Sequence, residues 1–139
     1  MTTSTSPLAR GHVAPRLPAQ DLDRAQAWYR DKLGMEPAEE REGGLRYVCG
    51  DTWFGVFTST GAPSGTHTQM AWTVDDIDET VAFMRARGVV FEEYDIPGLP
   101  MVDGIVDIPG NYPSLGSGER AAWFRDSEGN LIGLGQTVP

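Results

Sequence analysis

An internal duplication constrains this chain more than any other feature. Asp21-Leu22-Asp23, Ala27-Trp28-Tyr29-Arg30 and Gly34 return as Asp76-Ile77-Asp78, Ala82-Phe83-Met84-Arg85 and Gly88, at a constant offset of 55 residues (76 − 21 = 55) until one residue drops out before the glycine. Two copies are too few for a solenoid array, and the period exceeds that of most solenoid repeats, so two similar modules packed against each other are expected. A chain of 139 residues suits one domain, which the repeat divides into halves with function expected between them.

Each half carries the same succession of signals. In the first, residues 12–17 suit a short strand that Pro15 and Pro18 confine to an edge or a bulge. Asp21 is a good helix N-cap. Leu22, Ala25, Tyr29 and Leu33 then recur at helical spacing, Trp28 flanks the stripe, and Gly34 ends it. Residues 45–49 and 52–58 read as strands joined at Gly50-Asp51. In the second half, residues 66–74 read as a strand, and Asp76 with Glu79 opens a helix whose buried stripe is Ile77, Val81 and Met84 and whose stop is Gly88. Residues 89–94 read as a strand, and 121–125 with 131–135 as a hairpin. Symmetry breaks at the Pro- and Gly-rich loop 95–118, long for a connection in a compact domain, within which 104–108 suits an extra strand. The predicted class is α+β: two paired βαβββ modules, about 12–60 and 66–136, forming a curved mixed sheet around a cavity. They make one domain over 12–136 behind a disordered tail over 1–11.

Charge and composition exclude several functions. A formal net charge of −9 argues against binding phosphate backbones or anionic lipid and favours a cationic small ligand, while solubility alone explains it equally well. Cys49 is the only cysteine, so no intrachain disulfide forms and a reducing compartment is compatible. No run approaches the ~20 apolar residues of a membrane span, and the start lacks a signal-peptide pattern; a cytoplasmic protein is expected. Lys32 is the only lysine and lies on the first helix, which disfavours Schiff-base chemistry.

The run Pro15-Arg-Leu-Pro-Ala-Gln-Asp21-Leu22, the helix segment Trp28-Tyr29-Arg-Asp-Lys-Leu33-Gly34 and the closing Trp123-Phe-Arg-Asp126-Ser-Glu-Gly129-Asn130 together resemble the vicinal oxygen chelate superfamily of glyoxalases, bleomycin-resistance proteins and extradiol dioxygenases. The resemblance spans about 12–136, and Ser127 stands where the family's closing motif usually has proline. It implies a divalent metal in the enzymes of the superfamily, held by His, Glu and Gln side chains from four strands. The matching positions here are Ala14, Gln69, Gly55 and Gly133. Alanine and glycine cannot ligate.

A register shift of two residues keeps the strand face and turns His12 and His67 into a symmetry-related pair, again 55 apart (67 − 12 = 55). The same shift offers only Trp53 or Phe57 and Leu131 or Gly135 from the other strands, and Asp51 lies in a turn. Two imidazoles without further protein donors make an incomplete metal site; strand-end histidines bonded to backbone are the plainer reading. Alternation puts Trp53, Gly55 and Phe57 on one face, where the glycines are expected to widen the cavity. Trp72 falls with Met70 and Val74 on the helix side, and Trp123 is assigned to the cavity in preference to Phe124.

The first run most resembles the bleomycin-resistance branch, which dispenses with the metal and sequesters an antibiotic as a dimer. That implies a small-molecule-binding protein with no cofactor, taking an aromatic or cationic ligand through His12, Trp53, Phe57, His67, Gln69 and Trp123, working as a homodimer, with no nucleic-acid or membrane partner. The alternative is a metal-dependent lyase, isomerase or extradiol-type dioxygenase using His12 and His67. Metal-free catalysis with either histidine as general base stays open as well.

Overall fold

The computed structural model describes residues 6–139; residues 1–5 of the predicted tail lie outside the described residues. Pro7–Arg10 form an exposed 3-10 turn capped by the Ser6 hydroxyl, which accepts from the Leu8 N–H at 3.2 Å. The first module then runs β1 (Arg16–Ala19), α1 (Leu22–Trp28) continued by a π-helical turn (Tyr29–Leu33), β2 (Glu39–Arg41), β3 (Gly44–Cys49) and β4 (Thr52–Thr58). The second runs β5 (Met70–Thr73), α2 (Ile77–Ala86), β6 (Met101–Val102), β7 (Ile105–Pro109), β8 (Gly118–Arg125) and β9 (Leu131–Val138). Their sheets have orders β1-β4-β3-β2 and β5-β9-β8-β7-β6. Each opens with a parallel pair, β1 on β4 and β5 on β9, and is otherwise antiparallel.

The duplication is visible at the helix starts. Asp21 (φ −132°, ψ 101°) and Asp76 (φ −140°, ψ 101°) hold nearly the same extended N-cap conformation, accepting from Arg24 N–H at 2.9 Å and Glu79 N–H at 3.0 Å. Each satisfies one of the free N–H groups of a first helical turn.

Alternation along the strands sends Leu45, Tyr47, Phe54 and Val56 of the first sheet, and Ala122, Phe124, Ile132 and Leu134 of the second, into one shared core. α1 and its π-helical continuation touch both sheets: Tyr29 of the turn stacks on Tyr47 at 5.2 Å between ring centres, and Trp28 of α1 stacks on Phe124 at 6.2 Å. Trp72 joins the same core, edge-on to Phe54 at 5.3 Å, with its indole N–H on Cys49 Sγ at 3.4 Å. The helix-covered faces therefore meet, and the open faces of the two sheets look outward.

The turn at 126–130 latches the second module onto the first. Glu128, its side chain fully buried, accepts from the Gln20 and Asp21 N–H groups, both at 3.0 Å, and from Arg24 Nε at 2.8 Å and Nη2 at 2.9 Å. The Tyr29 hydroxyl donates to Asp126 at 2.7 Å, and the Asn130 amide donates to the Pro18 carbonyl at 3.0 Å. Hydrogen bonding to Arg24 first, then to the Asp21 N–H and Ser127, holds the Glu128 carboxyl down to about 2 despite the opposing cost of burial.

Several predicted boundaries move. The first strand begins at Arg16, so His12 precedes it, and the strand expected over 66–74 is confined to Met70–Thr73, so His67 falls in a bend. Segment 89–94 pairs only through an isolated bridge from Phe91 to Phe124. The long loop is partly ordered as the β6–β7 hairpin, with β7 added to the edge of β8.

Candidate functional site

The open face of each sheet carries its own hollow, and the lining of each comes from a single module. On the first face, a hollow of about 270 Å³ is floored by Trp53, Gly55 and Phe57 of β4. Their alternate partners Phe54 and Val56 point into the core. Pairing register sets a straight row across this face: Arg16 of β1 lies opposite Gly55, Gly55 opposite Arg46 of β3, and Arg46 opposite Glu39 of β2. Two arginines thus flank one glycine. Their guanidinium carbons lie over the Trp53 ring, at 4.3 Å from its centre for Arg16 and 4.9 Å for Arg46. Such contacts are worth about 0.5–1 kcal/mol where exposed, comparable to the repulsion of like charges set near each other on a sheet.

On the second face, a hollow of about 430 Å³ lies among Thr66, His67, Thr68, Tyr94, Trp123 and Arg125. Trp123 points here, edge-on to Tyr94 at 5.6 Å, while Phe124 is fully buried in the core. The row that matches the arginine row is Ala71, Gly133 and Trp123. Arg125 Nε is tied to Glu92 at 2.5 Å.

The sequence-predicted residues divide between these faces. Trp53 and Phe57 line the first, while His67 and Trp123 line the second. Gln69 precedes β5 with the parity of Ala71, and its buried Oε1 has no hydrogen-bond partner among the described residues. His12 is exposed ahead of β1 and lines neither hollow. The His67 ring nitrogen Nδ1 is engaged by the Ser64 hydroxyl at 2.8 Å. Within one chain these six residues are not brought into one site.

The glycines do not widen the hollows as expected. A Cβ on Gly55 would meet Arg16 Cδ at 3.2 Å, and one on Gly133 would meet Ala71 at 3.3 Å and Trp123 at 3.5 Å. Their missing side chains let neighbouring ones fold down onto the sheet. Arg16, Arg46 and Tyr94 escaped the sequence reading. The arginines are adjacent only through pairing register between strands far apart in sequence, while Tyr94 lies in a segment without regular pairing.

A family metal does not fit this donor set. Ala14, Gly55 and Gly133 offer no side-chain donor, which leaves the Gln69 oxygen alone at the four expected positions. On the second face the Glu92 carboxylate is tied up by Arg125, and Glu119 lies against Gly135, four strand residues or about 13 Å from the level of Leu131 where Gln69 is bonded. Among the described residues, no three His, Cys, Asp or Glu side chains converge as metal ligands.

Among solved structures, the chain is similar in fold to a bleomycin-binding protein complexed with bleomycin (20% identity, TM-score 0.65, covering 92% of this chain and 99% of that one). It is similar also to TnmS3, an antibiotic-binding protein from Streptomyces sp. CB03234 (24% identity, TM-score 0.62, 92% and 97%). A third is the fosfomycin resistance protein FosX from Listeria monocytogenes, complexed with Mn(II) and a phosphonic acid (18% identity, TM-score 0.60, 89% and 87%). No curated protein matches the sequence. At these identities the likeness speaks for the fold, and a family model matches residues 9–134. The chain belongs to the glyoxalase/bleomycin resistance protein/dioxygenase superfamily.

Proposed function

We propose that this protein binds and sequesters a small aromatic molecule without a metal or other cofactor, in a hollow closed by two copies of the chain. The observation that carries this reading is the chemistry of the open faces: rings of Trp53, Phe57, Trp123 and Tyr94 and, among the described residues, no convergent metal donors. Each face is a half-shell. A homodimer that set the first face of one copy against the second face of the other would enclose the ligand between Phe57 and Trp123, with Gln69 and His67 as polar contacts. Bleomycin- and antibiotic-binding neighbours support the same class of ligand, and the single Cys49 suits a reducing cytoplasm.

Elemental analysis of gel-filtered protein prepared without chelators tests this. Metal well below one ion per chain is expected. Stoichiometric Mn, Ni, Zn or Fe would overturn the metal-free reading and favour the metal-dependent lyase, isomerase or dioxygenase reading in its place.

A further inference from the structure

The first face has unused cationic capacity at one point. Arg16 uses only Nη1, on the Ala14 carbonyl at 3.2 Å, and Arg46 uses only Nη1, on Glu39 at 2.9 Å. Among the described residues, Nε and Nη2 of both guanidinium groups have no acceptor, and Arg16 has no carboxylate partner. Both guanidinium carbons lie close to the Trp53 ring centre, 4.3 Å for Arg16 and 4.9 Å for Arg46, and Gly55 leaves room for the Arg16 stem. Of the two carboxylates that line this hollow, Glu39 and Glu40, the exposed Glu39 is bonded to Arg46 and shows the chemistry that this arginine accepts. The chain's negative charge does not decide the matter, because exposed charges are screened beyond ~8 Å at physiological ionic strength, whereas two forked donors act at contact.

We propose that Arg16 and Arg46, aligned over Trp53 and separated by Gly55, form an oxyanion clamp. The ligand of this face is then an aromatic molecule carrying a carboxylate, phosphate or sulfonate group rather than a cationic one. This rests on the small-molecule-binding reading and narrows its substrate class. Trp53 becomes a platform for the arginines, and ring stacking falls to Phe57 and, across the hollow, Trp123.

The test titrates the full-length protein with 1-naphthyl phosphate and with the matched cation 1-naphthylmethylammonium, reading tryptophan fluorescence. The phosphate should bind about tenfold more tightly or better, with affinity falling as salt rises. Arg16→Gln and Arg46→Gln should each weaken it about tenfold, and Arg46→Lys, which keeps charge but loses the fork, should weaken it less. Circular dichroism confirms that the variants fold. Equal or tighter binding of the ammonium, or unchanged affinity in both glutamine variants, would overturn the clamp. Ammonium binding that Trp123→Ala abolishes would sink the clamp while leaving the binding-protein reading standing. Binding of neither probe would remove both.

Discussion

Single side chains decide how the two modules hold together. Glu128 is charged, fully buried, and supplied with four donors from the first module, so replacing it by glutamine exchanges charge-assisted hydrogen bonds for weaker ones and should cost about 2 kcal/mol at neutral pH. Its carboxyl titrates near 2 in the fold against an ordinary 4.5, so this stabilisation is complete above about pH 4.5 and is lost as pH falls through about 2. Denaturant titrations of wild type and Glu128→Gln should therefore converge across that window. Two buried tyrosines make a second contrast. Tyr29 donates to Asp126, whereas the buried Tyr47 hydroxyl has no partner among the described residues, and burial pushes its ionisation up to about 12. Tyr29→Phe should cost about 1–2 kcal/mol, while Tyr47→Phe should be neutral or slightly stabilising, as read by thermal unfolding. A loss above about 1 kcal/mol in Tyr47→Phe would mean that its hydroxyl has a bonded partner after all.

The elements show why duplication was readable and the site only partly so. Because Asp21 and Asp76 cap their helices in the same geometry, Asp21→Ala and Asp76→Ala should each lower stability by about 1 kcal/mol in chemical denaturation. A near-zero effect at either would mean that its cap is not supporting the helix. Caps, helix stripes and the alternation that puts Trp53, Gly55 and Phe57 on one face depend on neighbours in sequence, and the residues state them directly. The arginine row does not, because Arg16, Gly55 and Arg46 come level only when β1 pairs parallel to β4 and β3 antiparallel to it. Likewise the apolar segment 89–94 looks like a strand but keeps one bridge, since β7 takes the edge of β8. The capping acids are a local signal; the Glu128 latch joins residues more than 100 positions apart, and nothing near it in sequence announces it.

At the scale of the molecule, the helix sides of both sheets close one core and leave two outward-facing half-shells. The first is rich in arginine and aromatic rings, the second in aromatic rings with one uncommitted amide at Gln69. Neither encloses a ligand by itself, so binding and dimer formation should be linked: ligand should raise the dimer fraction, and Trp123→Ala should weaken both retention of the ligand and its effect on assembly. Native mass spectrometry of freshly purified protein reads all of this at once. A species of twice the 15.1 kDa chain mass carrying an organic adduct, with no metal, is expected; a monomer without adduct, or a species whose added mass is a stoichiometric divalent ion, would contradict sequestration by a metal-free dimer.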